Sequence, residues 1–394
     1  MNIANYIHSH LRKSCPFIYA TRLDAVMKVA CALQKSNDLS LTAMGRQLKG
    51  TTDIKHKIKK VDRLEGNKYL HEELGQLYAG LSEYVFKYLS QDKGIPIIID
   101  LCFIKDMLVQ MLSAEVASKG RTIPLYREIF NQGELKGRAS LFLNNLKRCI
   151  PNNREVIIIM DAGFQEEWFA AIESTGWNWI ARIREGKSLK LSDSQEWISI
   201  KDFISSIKVM TKNYNNILLF KEYQRGCRVV TIRKSTKKRN ATFSVIKNRK
   251  VGSGTFSKSA LEPWILATNL TDKQYKSSEI IKFYSKRMQI EESFIDIKSH
   301  QFGLSARYVR TTCAYRWGVK MLLSAIVQII YWIIGIVGHN QGMQRFFQAN
   351  TVKDRKVFSY FTLGKLIIEH DVIHKLDIDY KNIPEIIERE LACA

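Results

Sequence analysis

The sequence predicts an α/β protein whose mixed middle region lies between two helical regions. Residues 1–92 carry apolar positions at helical spacing, and residues 305–394 return to the same pattern. Between them, residues 93–304 contain short apolar runs typical of buried strands, alternating with helical segments. Within this middle region, a polar and basic stretch at about residues 186–258 predicts an inserted β subdomain.

Charge is the first indication of function. The 61 Lys and Arg residues exceed the 38 Asp and Glu residues, which gives a formal net charge of +23 that is spread along the chain. Such a surface predicts a polyanionic partner. The seven cysteines stand singly without C-x-x-C spacing, which favours a reducing cytoplasm over a disulfide framework or a zinc site.

One apolar run raises a membrane alternative. Residues 321–338 approach the length that spans a bilayer. Ser324 and Gln328 interrupt the run, and its aromatic residues lie in the middle instead of forming a belt at the ends. We therefore expect a buried core helix and no membrane contact, with a cationic membrane protein as the alternative.

The N-terminal region predicts two short helices about a turn. Leu39–Leu48 offers Ser40 or Thr42 as an N-cap, and a break follows at Gly50. The next helix, Ile54–Leu64, is basic and amphipathic. This arrangement resembles a helix-turn-helix, and a solvated basic face is the alternative. The residues predicted to contact DNA are Lys55, Lys57, Lys59, Lys60 and Arg63.

Two buried strands of the middle region are each predicted to end in an acid. Ile95–Asp100 is a short apolar run closed by Asp100, and Glu155–Phe164 carries Asp161 just before Gly163. Acids at the carboxyl ends of strands emerge where ligands tend to bind, although they also occur as helix N-caps. Further elements are predicted as strands at Met107–Ala117, Thr122–Tyr126, Trp177–Arg184 and Glu262–Leu270, and as helices at Ala139–Ile150 and Glu166–Ser174.

Downstream of the last strand, a polar stripe is predicted on one helix. Tyr284, Arg287, Glu291 and Lys298 fall at roughly 0°, 300°, 340° and 320° if the segment is a single helix at about 100° per residue. One acid between two cations and a phenol suits a metal held beside nucleic-acid phosphates. A solvated face with charge pairs is the alternative.

The order of these elements is that of a ribonuclease-H-like core. Such a core would bring Asp100, Asp161 and Glu291 together between a central sheet and a helix packed across it. Three carboxylates suit two Mg²⁺ ions, for which Mn²⁺ can substitute, and no His or Cys cluster suggests zinc.

At this point a family resemblance is specific. The Y-x2-R-x3-E-x6-K spacing is similar to that of the bacterial insertion-sequence transposases with the YREK signature, the insertion-sequence-four branch of the DDE transposases. The resemblance extends from about residue 10 to 365. The stretches that carry it are S-K-R-M-Q-I-E-E, E-P-W-I-L-A-T-N-L, D-A-G-F, F-Q-A-N-T-V and H-K-I-K-K-V-D-R-L-E-G-N.

The resemblance implies roles for individual residues. Asp100, Asp161 and Glu291 match the catalytic triad that binds metal. Tyr284, Arg287 and Lys298 match the signature residues that hold the phosphates of the transposon end. Trp264 matches an aromatic residue that stabilises a flipped base. Arg182 and Arg184 are expected to be further phosphate contacts.

The implied function is cut-and-paste transposition of an insertion sequence in the cytoplasm. Nicking, hairpin formation, hairpin resolution and strand transfer would act on double-stranded DNA with terminal inverted repeats and on target DNA. A homodimer is implied for the synaptic complex, with residues 305–394 as its seat. After Asp100 the sequence departs from the family pattern, since Leu101, Cys102 and Phe103 follow. The alternative is therefore a catalytically decayed DNA-binding repressor or inhibitor of transposition.

Overall fold

A computed structural model describes residues 3–89, 94–105, 108–118, 120–192, 194–207, 211–233, 263–300, 303–352, 355 and 357–392. Its contacts divide the chain into two compact units. The terminal unit comprises Met1–Val156 and Met288–Ala394, and the inserted unit comprises Ile157–Arg287. Both boundaries fall inside the predicted catalytic region 93–304, whose functional bounds stay a prediction.

Helices and strands alternate in the mixed α/β order predicted. The helices are α1 (Ile3–Ser14), α2 (Ala20–Ser36), α3 (Leu41–Gln47), α4 (Ile54–Glu65), α5 (Lys68–Phe86), α6 (Ala139–Arg148), α7 (Glu166–Ser174), α8 (Ile200–Ser206), α9 (Ser277–Ser285), α10 (Met288–Lys298), α11 (Ala314–Asn340), α12 (Gln344–Phe347), α13 (Tyr360–Glu369) and α14 (Ile383–Ala392). The strands are β1 (Ile95–Lys105), β2 (Val109–Ala117), β3 (Thr122–Asn131), β4 (Val156–Met160), β5 (Asn178–Ile183), β6 (Ser188–Lys190), β7 (Ile198–Ser199), β8 (Thr211–Leu219), β9 (Arg225–Ile232) and β10 (Trp264–Thr268). Short 3₁₀ helices cover Ala306–Tyr308 and Ile373–Lys375.

The predicted helix pair of the N-terminal region is present as α3 and α4. Ser40 caps α3, since its hydroxyl accepts a hydrogen bond from the Ala43 N–H at 3.3 Å. The turn contains Gly50 at a φ of +125°, a backbone conformation that glycine adopts without steric cost. The two helices pack directly on each other.

Three antiparallel strands in the order β3-β2-β1 form the sheet of the terminal unit. The prediction that β1 ends at Asp100 is wrong, because the strand continues to Lys105. Leu101 and Cys102 stay in the ladder, paired with Leu112 and Met111 of β2. A long apolar partner strand therefore extends β1 beyond the acid.

The long helix α11 is the core of the terminal unit, as predicted from its apolar run. It packs against α2, α5, α13 and β3. Its length and composition would allow it to cross a membrane, yet the most apolar 18-residue window is 100% buried. Gly335 of α11 and Gly364 of α13 lie where a Cβ would collide with the backbone of the facing helix, at Tyr360 and Tyr331. Glycine thus allows two apolar helices to meet backbone to backbone.

The inserted unit has strands in the order β4-β5-β10-β9-β8-β6-β7. β4 and β5 are parallel, and the other neighbouring strands of this unit pair antiparallel. The predicted separate β subdomain is a continuation of this sheet, because β9 pairs with β10 from Arg228 to Ile232. The β9 residues from Arg228 to Thr231, which make this pairing, are buried. The predicted loops Ser235–Asn240, Val245–Lys250 and Gly252–Thr255 lie outside the described residues.

The polar segment predicted as one helix is two helices. α9 ends at Ser285 and α10 begins at Met288, at the boundary between the units. The Lys286 N–H bonds the Phe283 carbonyl at 3.1 Å, and the Arg287 N–H bonds the Tyr284 carbonyl at 3.0 Å. These i→i−3 bonds tighten the chain into a turn, so the angular stripe predicted from Tyr284 to Lys298 is wrong.

Candidate active site and nucleic-acid surface

Asp161 lies directly after β4, as predicted. One carboxylate oxygen accepts a hydrogen bond from the Gly163 N–H at 3.1 Å. The other lies 3.7 Å from Nη1 of Arg287, and 27% of the Asp161 side chain is exposed. The inserted unit therefore presents a reachable carboxylate with a guanidinium beside it.

Tyr284 and Trp264 pack against each other near Asp161 and Arg287, and these four residues form one cluster. Their ring centroids lie 5.0 Å apart with the planes at 76°. Burial raises the pKa of the Tyr284 phenol to about 12, and the positive charge of Arg287 opposes that shift. Tyr284 is consequently neutral at physiological pH, where it can donate a hydrogen bond but cannot act as a base.

Two further arginines complete this cluster at the end of β5. Arg182 is buried and paired in register with Leu266 of β10, and Arg184 is exposed. Both arginines act electrostatically on the Tyr284 phenol, together with Asp161. Three predicted phosphate-binding arginines of the inserted unit thus lie near the Tyr284 phenol, and one of them, Arg287, is beside Asp161.

Asp100 belongs to the terminal unit and lies in the middle of β1. It is half-buried, and its Oδ1 accepts a hydrogen bond from the Leu101 N–H at 2.8 Å. Cys102, two residues along the same face of the strand, has its thiol pKa raised by burial, and the nearby Lys298 ammonium opposes this. The signature lysine therefore lies beside the strand face that carries Asp100.

Glu291 lies in the first turn of α10, the helix that packs on β1. It is half-buried, and Lys298 follows two turns later on the same face. Asp100 and Glu291 belong to the terminal unit, whereas Asp161 belongs to the inserted unit. In the part of the chain that the structure describes, no three His, Cys, Asp or Glu side chains are grouped to hold a metal ion, so the shared metal site stays a prediction.

A comparison with protein families identifies the domain to which most of these residues belong. The family model described as "Transposase DDE domain" matches residues 138–316. The chain contains a transposase DDE domain. Enzymes with this domain are metal-dependent polynucleotidyl transferases, and this chain is assigned to that class. A search of curated proteins gives no match.

The match covers most of the predicted residues of the transposase. Asp161, Glu291 and the signature residues lie inside residues 138–316, whereas Asp100 precedes them. The donor chemistry of the predicted triad fits a divalent metal, because carboxylates are hard oxygen ligands. Asp161 already lies beside one positive charge, the guanidinium of Arg287.

The basic face of α4 is a second surface of the transposase. Lys55, Lys59, Lys60 and Arg63 are exposed, and Lys57 is half-buried. The opposite face, with Val61, Leu64 and Glu65, is buried. A helix that binds DNA phosphates presents its cations on one exposed face, as α4 does.

Acids on the inner side of α4 attach it to the core helix. Asp62 accepts a hydrogen bond from Arg316 of α11 at 2.7 Å. Glu65 pairs with Lys320, and Lys320 also donates to the Leu39 carbonyl at 2.7 Å. The helix pair is thus held to α11 by charged groups, with its cations turned outward.

Sequence reasoning missed a buried polar group behind α10. It comprises Ser113, Glu115, Thr122, Arg127, Ser293, Ser324 and Gln328. The sequence carries only a weak signal for this group, the polar interruptions of the α11 run at Ser324 and Gln328.

Proposed function

We propose that this transposase performs cut-and-paste transposition of an insertion sequence, as a member of the branch with the YREK signature. The observation that carries the proposal is the DDE domain match over residues 138–316, a range that contains Asp161, Glu291 and the predicted signature residues. The Asp161–Arg287–Tyr284 cluster supports it, because it joins a carboxylate to phosphate-binding groups.

In this proposal Asp100, Asp161 and Glu291 hold two Mg²⁺ ions, with Mn²⁺ as a substitute. Bound metal would activate the attacking oxygen and stabilise the leaving oxygen. Arg287, Lys298, Arg182 and Arg184 bind phosphates near the scissile bond. Trp264, held edge to face by Tyr284, offers a stacking surface to a flipped base.

The proposed reaction sequence needs no covalent protein intermediate. Water cleaves one strand at the transposon end and releases a 3′ hydroxyl. That hydroxyl attacks the opposite strand to give a hairpin, which water reopens. The restored 3′ end then attacks a phosphate of the target DNA, and the target's own 3′ oxygen leaves. We propose that a homodimer in the cytoplasm performs these steps on paired inverted repeats.

A second candidate function is a DNA-binding repressor that lacks catalysis. The continuation of β1 through Leu101, Cys102 and Phe103 favours it, since Asp100 then lies within a ladder and not at a strand end. The repressor would bind the terminal repeats with a steep salt dependence and cleave no strand under any metal.

The test begins with the DNA on either side of the coding region, where inverted repeats would identify the substrate. Purified protein with Mg²⁺ and DNA bearing those repeats should give hairpinned ends on a denaturing gel. Asp161→Asn and Glu291→Gln should each abolish cleavage while metal-free DNA binding persists. Glu222→Gln, an exposed acid of the inserted unit, is the matched control and should cleave as wild type.

Three results would separate the candidates. Cleavage that survives Glu291→Gln would refute the assignment of the triad. Specific end binding without cleavage in Mg²⁺ or Mn²⁺ would favour the repressor. Absence of end-specific binding would remove both.

A further inference from the structure

A fully buried ion pair lies at the centre of the terminal unit. Arg127 of β3 pairs with Glu115 of β2 at 2.7 Å, and the exposed fraction of both side chains is 0%. Arg127 also donates to Ser324 at 3.0 Å and to Gln328 at 2.8 Å on α11, and to Ser113 at 3.2 Å. Burying an ion pair is often no more stabilising than apolar packing of the same volume. Stability alone is therefore a poor explanation for this group.

The ion pair continues into α10 through Thr122. The Thr122 hydroxyl donates to the second carboxylate oxygen of Glu115. The Thr122 N–H donates to Ser293 Oγ at 2.9 Å, and the two hydroxyl oxygens lie 2.8 Å apart. Ser293 belongs to α10 and is buried. A continuous series of hydrogen bonds thus runs from the sheet to the helix that carries Glu291.

A second polar contact attaches α10 to the sheet, one turn after Ser293. Arg121, the residue before β3, donates from Nε to Asp296 at 2.6 Å. Ser293 and Asp296 lie roughly 200° and 140° around the helix axis from Glu291, whereas Lys298 lies about 20° from it. The contacts of Ser293 and Asp296 therefore hold one face of α10, and Glu291 and Lys298 lie on the opposite face.

The same group reaches the strand that carries Asp100. Asp100 and Ser113 are directly opposite each other in the β1–β2 ladder, so their side chains share one face of the sheet. Ser113 accepts from Arg127 and donates to Glu115 at 2.5 Å. The polar group is consequently in register with Asp100 and bonded to α10.

We propose that Glu115, Thr122, Arg127 and Ser293 are positioning residues that fix Glu291 relative to Asp100, so that these two carboxylates can share a divalent metal. This inference rests on the proposed function. Partners that orient a metal ligand typically change metal affinity by about 10- to 100-fold when removed, and the four residues named here orient the helix and the strand that carry the ligands. Hydrogen bonds suit the task better than apolar contacts, because their direction fixes the rotation of α10.

The experiment measures Mn²⁺ binding to the full-length protein on DNA carrying the terminal repeats, by titration calorimetry. Thr122→Val and Ser293→Ala should each weaken Mn²⁺ binding by about 10-fold or more, and leave metal-free DNA binding unchanged. Thr122→Ser keeps the hydroxyl and should restore wild-type affinity. Ser82→Ala removes an equally buried hydroxyl of the same unit, which donates to the Leu125 carbonyl, and should leave Mn²⁺ affinity unchanged.

The outcomes separate this inference from the proposed function. If Glu291→Gln abolishes Mn²⁺ binding while Thr122→Val and Ser293→Ala bind as wild type, the positioning role is refuted. If Glu291→Gln itself binds Mn²⁺ as wild type, the proposed metal site is wrong. Should Thr122→Val fail to fold, Ser293→Ala decides alone, since it removes only the contact on the helix side.

Discussion

The terminal unit contains two sets of cations, one exposed on α4 and one buried in the interior. On α4 the cations Lys55, Lys59, Lys60 and Arg63 point into solvent. In its interior, Lys320 and Arg127 are each enclosed against one carboxylate, from Glu65 and Glu115. The net charge of +23 is therefore an incomplete guide to the binding surface, because some cations are structural. Exposure and pairing distinguish the two sets, and substitutions should do the same.

The largest effect is expected from removing a buried cation. Lys320→Met should destabilise the protein by about 3–5 kcal/mol, because it leaves the buried Glu65 carboxylate with only the longer 3.8 Å contact to Arg316. The midpoint of urea unfolding measures this. Lys59→Met, on the exposed face, should stay within about 0.5 kcal/mol of wild type.

A double variant sharpens that result. Lys320→Met with Glu65→Leu should recover most of the lost stability, since no uncompensated charge remains in the interior. A double variant as unstable as Lys320→Met alone would contradict the desolvation argument.

Because Asp296 is a buried acid, we expect the free energy of unfolding to depend on pH by about 3 kcal/mol. Burial raises its pKa from 3.8 to about 6, opposed by Arg121 and Lys365 and assisted by the charge of Glu292. The folded state then binds more protons than the unfolded state, so the wild-type free energy of unfolding falls relative to Asp296→Asn as pH rises from about 3 to 7. Urea titrations across this range measure the difference.

Asp24 provides a control of opposite sign. A hydrogen bond from Arg12 lowers the pKa of the Asp24 carboxyl. The stability it contributes is therefore present at neutral pH and lost as pH falls through the lowered pKa. If Asp24→Asn and Asp296→Asn changed with pH in the same direction, the assigned origin of these shifts would be wrong.

A smaller effect is expected where α3 crosses α4. A Cβ at Gly45 would lie 2.6 Å from Ile58 Cγ1 and 2.7 Å from its Cα, so the helices must separate. Gly45→Ala should lower the free energy of unfolding by about 1–3 kcal/mol, and should weaken DNA binding by displacing α4. Gly75 of α5 has no atom within 4 Å of its added Cβ, so Gly75→Ala should raise the thermal midpoint slightly. Equal destabilisation by both substitutions would show that the close crossing is not the cause.

The smallest effect on stability, within about 0.5 kcal/mol, is expected for single alanine substitutions of Lys55, Lys59, Lys60 and Arg63. Each should instead reduce the slope of log K against log salt by about 0.9 for DNA, because one phosphate contact is lost. Lys28→Ala, an exposed cation of α2, is the control. An unchanged slope in all four α4 variants would exclude this face from DNA binding.

Much of the fold could be predicted because the apolar patterns were strong. The helix pair, α7, β4 before Asp161 and the buried α11 follow from spacing and caps. The break between α9 and α10 could not be predicted, since Lys286 and Arg287 are good helix formers and neither glycine nor proline marks the turn. The end of β1 was misplaced because an acid after an apolar run normally signals a strand end, and the pairing with β2 overrides it.

One cluster of the candidate site could be predicted from the sequence, but not the groups that support it. Asp161, Arg287, Tyr284 and Trp264 do lie together in the inserted unit. The contacts of Thr122 with Ser293 join residues 171 positions apart, and neither residue belongs to a recognisable motif. Hydrogen bonds between distant strands and helices depend on tertiary packing, which local patterns do not encode.

The discontinuous terminal unit has a consequence for biosynthesis. Its helix α11 packs against α2, α5 and β3, all made before the inserted unit, while α11 itself is made after it. β3 ends at Asn131 and α11 begins at Ala314, so at about 5–20 residues per second a ribosome needs roughly 9 to 36 seconds to make the intervening stretch of about 180 residues. During that interval the N-terminal helices leave the exit tunnel without the helix that will cover their apolar faces, so the nascent chain is a natural client for chaperones that hold exposed hydrophobic surface.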